Sequence, residues 1–144
     1  MITDPNESYF KDGLWGWLST KWYKLPLLFG YSDRVVGQMF TETAGAGDNT
    51  LTGTVVPAGE IWVIQAICAS DITSNTTRIY VRAWGGALPM VIADEYVVTA
   101  GHWVTMQAEM LLKEGDYITA FFVGCTAGDD LYLRWWGYKM AITQ

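Results

Sequence analysis

Chemistry-bearing side chains are few in this chain, and their spacing is poor for catalysis. His102 is the single histidine. A Ser–His–Asp or Cys–His nucleophile needs a base held by a third group, and no such signature surrounds it. His102 follows the turn glycine Gly101 and reads as a surface residue at a strand end. Zinc sites draw on several His or Cys ligands at short spacing, and one His with the distant pair Cys68 and Cys125 does not supply that. The acidic pairs Asp94-Glu95 and Asp129-Asp130 fall in expected turns. They have the chemistry to bind Ca²⁺ or to act as the two carboxylates of a glycosidase. The competing reading, which we prefer, is that Asp favours turns and stays solvated. Gly45-Ala46-Gly47 lacks the strand–loop–helix setting and the Gly-Lys-Ser/Thr of a phosphate loop. The residues therefore point away from an enzyme, with no catalytic residue, metal or cofactor assigned.

Composition narrows the classes further. Hydrophobic residues make up 51% of the 144 and charged residues 17%, too apolar for a disordered chain. The formal net charge is −6, and the nine basic residues are scattered from Lys11 to Lys139. Nucleic-acid binding needs clustered Lys and Arg, so no nucleic-acid partner is expected. The longest apolar run, Ile61 to Ala69, is interrupted by Gln65 and is too short to span a bilayer. No basic region or apolar signal segment opens the sequence, so Sec export is not expected. Cys68 and Cys125 then read as reduced residues in apolar strands rather than a disulfide.

The elements are read from alternation and turn residues. Thr77 to Trp84 places Ile79, Val81 and Ala83 on one face and Tyr80, Arg82 and Trp84 on the other. His102 to Leu112 puts Val104, Met106, Ala108, Met110 and Leu112 inward, with Trp103, Thr105, Gln107 and Glu109 outward. In the last strand, from Leu131 to Ile142, Leu131, Leu133 and Trp135 alternate with Tyr132, Arg134 and Trp136. Leu51–Val56, Ile61–Ala69, Leu88–Ile92, Tyr96–Val98 and Tyr117–Cys125 are further strands, with Ile61–Ala69 central. Tyr31 to Phe40 is a strand or a short helix. Glycine-bearing turns recur at about ten-residue spacing, the pattern of a sandwich or jelly roll. The expected fold is an all-β, antiparallel jelly-roll-like sandwich over 50–144, preceded by an N-terminal arm over 1–49. That arm holds a Trp-rich hairpin and ends in the small-residue linker Ala44–Asn49.

Eight Trp and eight Tyr are more rings than one small core hides when aliphatics already occupy the opposite strand faces. Trp62 and Phe122 suit the core. Trp15, Trp17, Trp22, Tyr23, Tyr80, Trp84, Trp103, Tyr132, Trp136 and Tyr138 are the candidate interface residues, because Trp and Tyr bury large areas at low entropic cost. Sugar stacking is the other use of exposed rings.

The run Val56-Pro57-Ala58-Gly59-Glu60-Ile61-Trp62-Val63-Ile64, then Val98-Thr99-Ala100-Gly101 and Leu112-Lys113-Glu114-Gly115-Asp116-Tyr117-Ile118, resembles the strand–turn scheme of small jelly-roll virion proteins of tailed bacteriophages. Those proteins include capsid decoration (cement) proteins and tail-fibre tip domains, and similar turns occur in tumour-necrosis-factor-like and C1q-like trimers. Trp136-Gly137-Tyr138-Lys139 fits a terminal jelly-roll strand. Gly13-Leu14-Trp15-Gly16-Trp17 through Thr20-Lys21-Trp22-Tyr23-Lys24-Leu25 is similar to a Trp-rich hairpin of phage virion proteins, with Leu18-Ser19 in place of the usual Asp-Gly. The resemblance implies a homotrimer in the virion, assembled in the host cytoplasm. It would bind the major capsid protein or another virion protein and clamp capsid subunits together. The alternatives are a tail or fibre component, or a module binding a receptor or glycan.

Overall fold

The computed structural model describes residues 31–107 and 109–141. Residues 33–139 form one compact unit, which holds the sandwich. Among the described residues nine strands form and no helix. They are β1 (Tyr31–Thr41), β2 (Gly47–Thr52), β3 (Glu60–Asp71), β4 (Thr76–Gly85), β5 (Leu88–Val98), β6 (Val104–Met106), β7 (Met110–Lys113), β8 (Tyr117–Cys125) and β9 (Leu131–Ala141).

One sheet runs β1-β9-β3-β6, with β7 also paired to β3; the other runs β2-β8-β4-β5. If β6 and β7 are taken as one interrupted strand, eight strands divide four and four between two antiparallel sheets in jelly-roll order. Strand β3 is internal, as its apolar run suggested. Its inward set is Trp62 and Ile64 and then, one residue out of phase, Ile67 and Ala69. The phase change coincides with the change of partner, from β7 at residues 61–64 to β6 at residues 67–69. The expected single strand over 102–112 is therefore two short ones.

The core lies between the sheets. Ile79, Val81 and Ala83 of β4 meet Ile64, Ile67, Leu131, Leu133, Phe122 and Ile118 in one buried cluster. The alternation read in β4 and β9 holds, and so does that over residues 103–112 apart from Ala108, which lies outside the described residues. Trp135 is 4% exposed and its indole lies directly beneath Gly37 of β1. Trp62 is 8% exposed; its Nε1–H donates to Glu60 Oε1 (2.7 Å), while Lys139 Nζ of β9 donates to Glu60 Oε2 (3.1 Å).

Three local expectations are corrected. The expected linker Ala44–Asn49 is a tight connection. Ala44 is buried, Gly128 N donates to its carbonyl (2.8 Å), and the Asn49 side chain closes the loop on Gly45. Asp94 and Glu95 lie within the continuous strand β5 instead of a turn, because each finds a cationic or imidazole partner, Arg78 and His102 respectively. Of the segment expected as an arm, the part from Tyr31 onward enters the two sheets as β1 and the start of β2; the Trp-rich hairpin lies outside the described residues.

Candidate interaction surfaces

Residues directly opposed across an antiparallel pair share one face of the sheet. On β4 that rule collects Arg78, Tyr80, Arg82 and Trp84 on the outer face, opposite Val123, Phe121, Thr119 and Tyr117 of β8. On the other side of β4, Tyr96 and Asp94 of β5 oppose Arg78 and Tyr80. The planar groups stack into a ladder. Tyr80 and Phe121 lie 4.9 Å apart at 8°, and Trp84 and Tyr117 lie 5.7 Å apart at 6°. The Arg78 guanidinium sits 4.4 Å from the Tyr80 centroid and 4.7 Å from that of Tyr96; Arg82 sits 4.8 Å from Phe121 and 5.1 Å from Tyr80. Trp84 Nε1–H donates to Thr119 Oγ1 (2.9 Å). Stacked guanidinium and ring faces attract through the ring quadrupole, so the ladder is partly self-covered.

The opposite sheet carries its own aromatic set. Tyr132 of β9 packs 4.5 Å from Phe40 and 6.0 Å from Trp103, with Arg134 over both Trp103 (5.4 Å) and Tyr132 (5.1 Å). Beside it opens a recess of about 530 Å³ whose lining includes Val36, Gln38, Cys68, Arg134 and Trp136. Trp136 is 49% exposed there.

The expected interface residues thus fall on two opposite faces. Tyr80 and Trp84 share one; Tyr132 and Trp136 share the other, with Trp103 beside them and Tyr138 further along β9. Tyr80, Trp84, Trp103, Tyr132 and Tyr138 are half-buried. Trp15, Trp17, Trp22 and Tyr23 lie outside the described residues. Cys68 and Cys125 are free thiols, Cys68 half-buried and Cys125 buried. His102 is exposed, with Nε2 2.8 Å from Glu95 Oε1.

A third surface was not anticipated. Met90 of β5 opposes Ala83 and Leu88 opposes Gly85, so both stand on the core side of their sheet. Yet Leu88 is 79% exposed and Met90 67%. The sandwich is open at this edge. Between β5 and β7 lies a cleft of about 340 Å³, lined by Ala83, Leu88, Met90, Met110, Leu111 and Leu112 among others, with Leu111 66% exposed. Apolar residues left exposed on the inner face of an edge strand mark an unfilled end of the core. The strand over 88–92 is legible in the sequence, but nothing local to a strand tells whether the facing sheet reaches far enough to cover it.

Strand β5 is nevertheless guarded against adding another strand. Pro89 lacks an amide hydrogen, Glu95 is charged on the inner face, the pairing shifts register between Val81 and Arg82, and Val97 takes a left-handed φ of 57°. A partner therefore docks on side chains more readily than on the β5 backbone.

Last, the loops at one end of the sandwich bring Asp71, Cys125 and Asp129 together, with one potential ligand atom from each within 4.8 Å of the others. All three are buried. These residues come from the end of β3, the end of β8 and the turn before β9, so no sequence spacing announces the cluster.

Among the described residues no helix is long and apolar enough to cross a membrane. No protein-family model matches the chain, and none of the curated proteins compared with it matches.

Proposed function

We propose that this chain is a non-enzymatic structural protein of a tailed-phage virion, a capsid decoration protein that self-associates, as a homotrimer, and stabilises the shell by bridging capsid subunits. The observation that carries the interface reading is the open β5–β7 edge, where inward-facing Leu88 and Met90 stand exposed beside Leu111. Burying such residues against a neighbour returns about 25 cal/mol per Å² before the costs of association. The double-sheet jelly-roll order, an architecture that capsid and lectin domains share, and the resemblance of the turn segments support placing it on a virion.

The glycan-binding alternative needs flat ring faces open to solvent. In the β4–β8 ladder, Arg78 and Arg82 lie over the rings of Tyr80 and Phe121, which leaves less face for a sugar. Among the described residues Trp136, 49% exposed, is the tryptophan best placed for that role.

The test is co-sedimentation of the purified chain with phage shells assembled without it, alongside sizing by light scattering. Saturable binding at a fixed ratio to capsid subunits, by a species larger than a monomer, is expected. A monomer at all concentrations that ignores shells removes the proposal. Glycan-array binding lost on Trp136→Ala would favour the alternative.

A further inference from the structure

We propose that Asp71, Cys125 and Asp129 form a binding site for a borderline divalent cation such as Zn²⁺, locking the loops at one end of the sandwich. Asp71 is 1% exposed and Asp129 2%. Asp71 Oδ1 accepts the backbone N–H groups of Thr73 (2.9 Å) and Ser74 (3.1 Å). Asp129 Oδ2 accepts Thr126 N–H (2.6 Å) and Ser74 Oγ–H (2.8 Å). These contacts fix both carboxyl groups in place. Asp71 Oδ2, by contrast, is buried with no hydrogen-bond donor, a costly arrangement for a carboxylate oxygen.

Two buried carboxylates facing each other require a positive charge between them, which a shared proton or a cation supplies. A shared proton satisfies the two acids and leaves the thiol with only its Asn49 side-chain contact. A cation uses all three donors. One thiolate and two carboxylates suit Zn²⁺, with a water completing four-coordination. Four-coordinate Zn²⁺ needs its ligand atoms within about 3.5 Å of one another, and the three atoms here already lie within 4.8 Å. Burial, first, and then the facing Asp129 push the Asp71 carboxyl above its ordinary value. Burial likewise pushes the Cys125 thiol up to about 11. Binding M²⁺ displaces the thiol proton to solvent as the M–S bond forms and adds the M–O bonds, so affinity rises with pH.

The surrounding loops explain what a cation would fasten. Ile72 N donates to Asp130 O (3.1 Å), Asp130 N to Thr73 Oγ1 (2.9 Å), and Gly128 N to Ala44 O (2.8 Å). Three connections, after β1, β3 and β8, thus converge on the cluster.

The experiment adds Co²⁺ or Zn²⁺ to the full chain, both folded and during refolding, since the site is sealed. Co²⁺ is expected to give thiolate-to-metal charge-transfer absorption in the near ultraviolet with four-coordinate visible bands. Zn²⁺ at about a hundredfold excess over Kd is expected to raise Tm by about 5–10 °C. The absorption persists in Cys68→Ser and disappears in Cys125→Ser and in Asp129→Asn, whose folding circular dichroism verifies. No absorption and no Tm change in the wild type under either regime overturns the site and leaves the pair bridged by a proton. A band that survives Cys125→Ser and vanishes in Cys68→Ser overturns it as well. Shell binding is read separately, so this result and the virion reading stand or fall independently.

Discussion

Arg78 grips Asp94 with both ends of its fork, Nε to Oδ1 at 2.9 Å and Nη2 to Oδ2 at 2.8 Å, while its flat face lies on Tyr80 and Tyr96. The pair crosses from β4 to β5 and holds the edge strand whose inner side is open. Arg78 holds the Asp94 carboxyl below its ordinary value. The contribution is therefore present above the unfolded carboxylate range, about pH 4, and is lost as pH falls through the lower folded value. Both side chains are about a third exposed, so solvent screens the effect. Asp94→Asn is expected to lower Tm by about 1–3 °C at pH 7 and equally at pH 5. The deficit shrinks towards zero as the solution is acidified below pH 3. Thermal melts across that range check the sign; a deficit that grows in acid would contradict it.

Gly37 of β1 lies directly against the buried Trp135 indole of β9. A methyl group on Gly37 would overlap the buried indole, and at Gly53 it would come within 2.8 Å of the same ring. Gly37→Ala is expected to destabilise the fold by about 1–3 kcal/mol through overpacking. Trp135→Phe relieves that clash, so the double variant should lose less than the sum of the single variants. Urea unfolding of the four proteins measures the coupling, and strict additivity would show that the methyl finds room elsewhere.

Much of the sandwich was legible because strand side chains alternate with period two and only one phase can face the core. Ile79, Val81 and Ala83, or Leu131, Leu133 and Trp135, declare their inward face without any knowledge of neighbours. Those neighbours were harder to read. Arg78, Arg82 and Arg134 read in sequence as scattered charge, since each, besides the tyrosine two residues away on its own strand, lies on a ring of another element, Tyr96, Phe121 and Trp103 respectively. Asp71 and Cys125 meet only because the ends of β3 and β8 lie at the same end of different sheets. The small residues Ala44 to Gly47 looked like a linker, but Ala44 is small because it fits against the 128–129 turn. Whether a residue is small for freedom or for space is not a local property.

Val97 is a β-branched residue with φ 57°, a conformation that its Cβ disfavours, and its side chain is exposed. Packing gives no return for that strain. Val97→Asn tolerates the left-handed region and is expected to stabilise the chain by about 1 kcal/mol. Val97→Gly gains less, because glycine loses more freedom on folding. Denaturant midpoints rank the three proteins; a loss of stability in Val97→Asn would mean the valine has a packing partner.

Leu88 and Leu111 flank the mouth of the β5–β7 cleft, one on each sheet, and both are largely solvent-exposed in the single chain. A substitution at an exposed site changes monomer stability by less than about 0.5 kcal/mol. The same side chains buried under a neighbour are each worth about 1.5–3 kcal/mol. Leu88→Ser with Leu111→Ser therefore separates folding from association. Urea unfolding at low concentration is expected to match the wild type within error. Self-association, followed by sedimentation equilibrium, is expected to weaken by at least tenfold, since 1.4 kcal/mol already corresponds to that factor. Serines introduced on the outer ladder, as in Phe121→Ser, lack this selectivity, because Phe121 stacks on Tyr80 and Arg82 within its own sheet. If the double variant associates as tightly as the wild type, the open edge is not where subunits meet, and the exposed leucines need another explanation.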